Sequence, residues 1–404
     1  MLPNSVKTTS KSKKSTFRKV SEWLHLWLGL FSGIIVFVVC LTGAIWLWRY
    51  EVFYFTEKYQ RVQPQQKPFL PPSVLILQAK SYLHHKDHLD AKVRGITYGK
   101  PFKSVIISLE LEKEKFAQLY LNPYTGLVLK DKREPVATDK FFLFVRAGHR
   151  FFWLPRNIGS PLVGSACLIF LVILITGLIW WYPKKWTAKT KEKSFKIKWT
   201  AKWKRLNIDL HNVLGFYATL FILAMTISGI VFTFEWFEKS VYTSLTWKSK
   251  PESKQPTPLS DTTITLDIVI SKPEDVIWRN VTQKYGDRIA RVILDFPEKA
   301  SDPYQVMVTF GKDEAILYNR AFLYYDQSTL KELKYTNERD RPYEDLSLGE
   351  KVFRMNYDIH TGQILGLPSK IIAFFACVIG ASLPVTGVII WYNRKWGKKK
   401  QRRL

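Results

Sequence analysis

Four stretches of this chain are apolar for about 20 residues or more, enough to cross a ~30 Å hydrocarbon core as helix. They run over 23–48, 158–182, 209–236 and 369–392. No other feature of the sequence constrains the fold as tightly. Four spans place the intervening segments 49–157 and 237–368 on one side of a membrane, and 1–22, 183–208 and 393–404 on the other. The first run is too long for a signal-peptide h-region, carries aromatics throughout and lacks a small-x-small site before Arg49. It is therefore expected to stay as a span.

Charge sets the orientation. The net charge is +27 over 404 residues, an excess that fits nucleic acid, anionic lipid or a topology signal. Residues 1–19 are basic without an acid, Pro183–Arg205 contains only Glu192, and the tail from Asn393 contains no acid. All three lie on one side, which the positive-inside rule makes the cytoplasm, with both termini there. The bilayer and its anionic headgroups are then the partners of this charge. Nucleic-acid binding is not expected, because no aromatic-basic surface domain accompanies it. Cys40, Cys167 and Cys377 all fall inside spans, so the outer segments must fold without disulfides.

The chain also reads as two repeated halves. Aligning LHLWLGL at Leu24 with LHNVLGF at Leu210 puts His25 on His211, Gly29 on Gly215 and Thr42-Gly43 on Ser228-Gly229. ITGLIWWYPKKW at Ile175 meets VTGVIIWYNRKW at Val385, and Cys167 then meets Cys377. Each half is helix, outer domain, helix. The fold class expected is a four-helix α-helical membrane protein with two α+β outer domains. VLILQAKSYLHHKDHL and DVIWRNVTQKYG have helical spacing. SVIISLE, FAQLYLNPYTGLVLK, ARVILDF, YQVMVTF and AFLYYD read as strands. Neither outer segment carries a Gly-rich phosphate loop, a nucleophile triad or a CxxC pair, and no side chain stands out as catalytic.

Seven histidines remain. His84, His85 and His88 have a spacing that a metal ion could use, but a solvated helix face is the better reading. His25 and His211 lie at the cytoplasmic ends of the first and third spans. His149 and His360 lie just outside the second and fourth. The repeat thus gives one pair near each membrane face, among Trp, Phe, Leu, Gly and Arg. Neutral imidazole with apolar walls is what a haem iron ligand needs, and two imidazoles from facing helices can take both axial positions. Gly29 and Gly215 stand four residues after His25 and His211, on the same helix face, where a missing side chain leaves room for a flat macrocycle. Arg146 and Arg150 flank His149 and could pair with propionates. Three other readings stay open: imidazoles resting in the headgroup region, a proton relay, or a metal-ion pathway. The last two usually need carboxylates within the spans, and these spans contain essentially none. The Thr-Gly and Ser-Gly pairs in each span read as packing positions, and the WWY at Trp180 as part of an interfacial aromatic belt.

LHLWLG at Leu24, GHRFFWLP at Gly148, LHNVLGFYA at Leu210, and DIHTGQILGLP at Asp358 followed by TGVIIWY together resemble the bacterial PepSY-associated transmembrane family. That family includes inner-membrane ferrisiderophore reductases and iron-regulated membrane proteins. NPYTGLVL at Asn122 is similar to the turn that closes a PepSY domain. The resemblance covers nearly the whole chain. It departs before the second span, where Gly148-His149-Arg150 stands in place of the usual Leu-His-Arg. It implies two haem b groups beneath periplasmic PepSY domains in the bacterial inner membrane. His25 with His211 would hold the cytoplasmic-side haem, and His149 with His360 the periplasmic-side haem.

The function expected from this is transmembrane electron transfer from a quinol or cytoplasmic reductase to a ferric chelate or siderophore. A Rossmann fingerprint is absent, so the chain should not oxidise NAD(P)H unaided. The alternative is a membrane-anchored PepSY module that binds a partner or restrains a peptidase without redox chemistry.

Overall fold

The computed structural model describes residues 15–112, 115–251, 257–263, 271–337 and 340–397. The basic stretch 1–14 and the end of the tail, 398–404, lie outside the described residues. In chain order the helices are α1 (Thr16–Leu47), α2 (Arg49–Thr56), α3 (Pro72–Asp87), α4 (Ala137–Phe151), α5 (Arg156–Trp181), α6 (Ala188–Phe195), α7 (Trp203–Asp209) and α8 (Gly215–Val231). They continue with α9 (Glu235–Thr246), α10 (Pro273–Tyr285), α11 (Leu348–Arg354), α12 (Asn356–His360) and α13 (Leu367–Lys395).

Four of these helical runs are long and apolar enough to cross a membrane: Thr16–Leu47, Arg156–Trp181, Trp203–Val231 and Leu367–Lys395. Each overlaps one expected span and begins before it, and the third ends at Val231, short of the expected 236. The third run is α7 and α8 joined by a π-helical segment, Leu210–Leu214, which carries His211. Such bulges re-aim side chains and frequently mark functional sites.

The chain divides into two compact units. The helical unit takes the residues up to Ala44, Arg146–Thr233 and those from Ala373 on. Its core joins Val36, Phe170, Ile173, Leu174, Ala218, Ile222 and Ala376, with α5 packed along α8.

The sheet unit takes Ile45–Val145 and Phe234–Ile372. Its strands are β1 (Lys92–Tyr98), β2 (Val105–Glu112), β3 (Lys115–Leu121), β4 (Val128–Lys132), β5 (Ile289–Asp295), β6 (Tyr304–Phe310), β7 (Arg320–Tyr325) and β8 (Glu332–Leu333). In β5 every second residue is buried, at Ala290, Val292 and Leu294, so one face of the strand packs on the core. Leu75, Ala79 and Leu83 of α3 and Ile277 and Val281 of α10 belong to that same core. The two helices are tied where Asp275 accepts from the Ser73 backbone N–H (2.8 Å) and hydroxyl (2.6 Å).

The two outer segments do not fold as two separate domains. Their strands form one antiparallel sheet in the order β4-β3-β2-β1-β5-β6-β7-β8. β1 and β5 pair from Gly95 with Asp295 to Tyr98 with Val292. Split apart, each half would expose one of these strands as a bare edge, and joining them removes both. Gly95 suits the junction: a Cβ there would sit 3.0 Å from the Leu294 carbonyl oxygen.

Candidate functional site

The site lies within the helical unit. His25 projects from α1 toward α5, where its Nδ1 is 3.0 Å from the Ile173 carbonyl oxygen and 3.4 Å from the Thr176 hydroxyl. A carbonyl only accepts, so Nδ1 carries the proton and donates. His211 meets α13, with Nδ1 2.8 Å from the Thr386 hydroxyl. Thr386 lies 2.9 Å from the Ser382 carbonyl oxygen and donates its own proton there, so it accepts from His211. His149, on α4, donates Nδ1–H to the Val39 carbonyl (2.9 Å). In all three histidines Nε2 keeps its lone pair, the tautomer that a metal ligand needs. Burial pushes the His149 imidazole below its ordinary pKa, against the pull of the Val39 carbonyl, so this ring is neutral at pH 7.

His25 and His211 face each other with ring centroids 6.3 Å apart and ring planes at 89°. Both line a cavity of about 390 Å³ in the helical unit, with Gly29, Gly215, Trp180 and Arg394 among its walls. The Gly29 Cα opens onto free space, with no atom within 4 Å of where a Cβ would stand. A Cβ on Gly215 would touch Leu383 at 3.3 Å.

This chamber fits a bis-imidazole haem. Two imidazoles bound at ~2 Å on opposite sides of one metal centre hold their centroids roughly 6 Å apart. The observed separation matches that, the lone pairs are available, and the walls are largely apolar. Arg394, whose guanidinium stands 5.2 Å over the Trp180 ring, and Lys193 supply cationic groups to the lining.

The remaining site residues are distributed differently. Arg146 is exposed on α4, and Arg150 is half-buried, 5.3 Å over the Phe151 ring. Neither lines the cavity. His360 ends α12 in the sheet unit, whereas His149 belongs to the helical unit. Gly148 is explained locally: a Cβ there would collide with the Trp153 ring. Trp153 reaches this place through a tight turn in which it and Phe152 take positive φ values of 58° and 52°. His84, His85 and His88 cluster at the end of α3 with ring separations of 6.2 and 6.1 Å. Among the described residues no three or more His, Cys, Asp and Glu converge as a metal-ion site.

Two features differ from the sequence reading. The Thr-Gly pairs of α5 and α13 hold imidazoles in addition to packing, because a hydroxyl in lipid serves either purpose and sequence does not separate them. Trp180 meets His25 edge-on at 5.4 Å. Trp181 stacks on Phe216 at 3.8 Å and donates its indole N–H to the Ser194 carbonyl. These two tryptophans are wall and packing residues of the helical unit. Arg394 and Lys193 were hidden in the sequence among the many basic residues of the loop after α5 and of the tail.

Four runs long and apolar enough to cross a membrane, with an eight-stranded antiparallel sheet unit between them in the chain, define a polytopic membrane protein. A comparison with curated proteins finds no match. The chain belongs to the family described as the PepSY-associated TM region, whose model matches residues 22–394.

Proposed function

We propose that the chain is a di-haem electron-transfer protein of the bacterial inner membrane that reduces a ferric chelate, such as a ferrisiderophore, at the periplasmic face. The observation that carries this reading is the His25–His211 pair, 6.3 Å apart across an apolar chamber, each ring with Nδ1 engaged and Nε2 free. Haem, when bound, would supply a one-electron carrier at each site. His25 and His211 would bind the inner group from α1 and the π segment. His149 and His360 would bind the outer one, with Arg146 and Arg150 as propionate partners. A histidine held to each side of such a group would leave it without an open position, which would favour electron transfer over oxygen activation.

The basic loop between α5 and α7 and the basic tail support a cytoplasmic placement of both termini, with the sheet unit periplasmic. The sheet order, symmetric about the β1–β5 pair, supports an origin in two repeated halves. Electrons would enter from a quinol or a cytoplasmic reductase. One electron converts the chelated ferric ion to ferrous, which hard oxygen ligands hold less well, and the iron is released.

The test is an absorption spectrum of the detergent-purified protein, oxidised and dithionite-reduced, with haem counted per chain. The expected result is six-coordinate b-type bands at about two haems per chain, with His25→Ala and His149→Ala each losing one. A colourless protein from haem-replete cells overturns the reading and leaves a membrane-anchored PepSY module that binds a partner or restrains a peptidase.

A further inference from the structure

Each of three histidines in the helical unit rests against a glycine of a Thr-Gly pair. A Cβ on Gly177 would lie 3.0 Å from His25 Cε1, one on Gly387 would lie 3.5 Å from His211 Cε1, and one on Gly43 would lie 3.1 Å from His149 Cε1. The hydrogen bonds follow the same register. Ile173, which accepts from His25, is four residues before Gly177, and Val39, which accepts from His149, is four before Gly43. Leu383, four before Gly387, holds the same place in the register, and its carbonyl lies 3.1 Å from the Thr386 hydroxyl that accepts from His211.

The helix explains this register. A carbonyl at i−4 gives one lone pair to the N–H of residue i and keeps a second. Cβ atoms tilt toward the helix N-terminus, so a side chain at i covers the carbonyl one turn earlier. Glycine uncovers it, and an imidazole fills the gap. The preceding threonine binds its own helix through Val172 (2.8 Å) at Thr176 and Ser382 (2.9 Å) at Thr386. Its oxygen then stands beside the ring as a second anchor, at 3.4 Å for His25 and 2.8 Å for His211. Two anchors on one ring nitrogen fix its rotation as well as its place.

We propose that Thr176-Gly177 and Thr386-Gly387 are imidazole seats that lock the His25 and His211 rings in perpendicular planes. They thereby set the electronic state of the iron held between them. This rests on the haem reading above. Each axial imidazole donates from its π system perpendicular to its own ring. Parallel rings act on one iron d orbital and split it from its partner. Perpendicular rings act on one orbital each and leave the two nearly degenerate. The observed 89° belongs to the second case. Thr386 and Thr176 are positioning residues here, since both act through a histidine.

The experiment is low-temperature electron paramagnetic resonance of the oxidised, detergent-purified full chain, recorded for wild type and in a His360→Ala background that isolates the inner site. Thr386→Val, Thr386→Ser and Thr176→Val are compared, with haem counted in each. The expected wild-type signal is a strongly anisotropic low-spin feature with one large g value. Thr386→Val should move it toward the three-line rhombic pattern of parallel rings while keeping its haem, and Thr386→Ser should restore it. Thr176→Val should act more weakly, because the Ile173 carbonyl still holds His25. A rhombic signal from the inner site, read in the haem-loaded His360→Ala protein, overturns the seats and leaves the haem reading standing. So does an unchanged signal in Thr386→Val, or loss of haem in both Thr386 variants. A colourless wild type overturns the haem reading itself.

Discussion

Lys370 and Glu51 form an ion pair between residues 319 positions apart, with Nζ 2.5 and 2.6 Å from the two carboxylate oxygens. The lysine sits at the start of α13 with its side chain 2% exposed, whereas the glutamate side chain is 38% exposed. The Trp48 ring lies 5.2 Å from the lysine Nζ. This asymmetry predicts unequal mutational costs. Glu51→Gln leaves an ammonium buried against an aromatic ring, at about 3 kcal/mol. Lys370→Met leaves a carboxylate that water can reach, at about 1 kcal/mol. Thermal unfolding of the detergent-purified protein should show the larger loss in Glu51→Gln, and equal losses would contradict the asymmetry.

A second prediction concerns acid. Asp131 lies in β4 with its side chain 6% exposed, facing Arg133 at 2.7 Å and Lys86 at 2.9 Å. Burial alone would push its carboxyl up, but the hydrogen bonds from Arg133 and Lys86 prevail and hold it below the ordinary value. A carboxyl depressed by folding contributes stability that is complete above its unfolded pKa of about 4 and disappears as pH falls through the lower folded value. Unfolding of the wild type should therefore become easier below about pH 4. Asp131→Asn should cost about 1–2 kcal/mol at neutral pH, since Arg133 and Lys86 keep partial access to water. The variant should also lose part of the acid slope. An unchanged slope would place the acid sensitivity on other carboxyls.

The spans were legible because lipid leaves a crude signal, about twenty apolar residues without charge. Strands β2, β3, β4, β5, β6 and β7 were legible for a related reason, since alternation and turn residues are local. The union of the outer segments was not. The pairing of Gly95 with Asp295 joins residues 200 positions apart, and an edge strand carries no mark of its partner. At the site, the pairing of His25 with His211 could be read from the repeat, but its supports could not. Thr176 and Thr386 look like any small polar residue in a membrane helix until the imidazole beside each is seen. The π segment at Leu210–Leu214 left no sequence signal that we recognise.

A third prediction follows from Arg394. Its guanidinium lies over Trp180 in the chamber lining, where a carboxylate-bearing ligand would meet it. Under the haem proposal, Arg394→Gln should keep the fold and raise the loss of the inner haem on dilution by about tenfold, the equivalent of ~1.4 kcal/mol for a charge-assisted contact. Arg394→Lys should recover part of that loss. Identical haem retention in all three proteins would show that the arginine serves topology alone.

Gly29 offers the sharpest separation between fold and function. In an ordinary helix, replacing an interior glycine with leucine is favourable by about 0.5–1 kcal/mol. Here no atom stands within 4 Å of the added Cβ, because the position opens onto the chamber. Gly29→Leu should therefore unfold no more easily than wild type, while its side chain occupies space beside His25. Gly29→Ala, with a single methyl, should retain both stability and ligand. The measurement is haem per chain alongside thermal unfolding. A stable Gly29→Leu protein with one haem fewer is the expected result. A stable protein with a full complement would mean that the bound group lies elsewhere, and that Gly29 is a lipid-facing position with no part in the site.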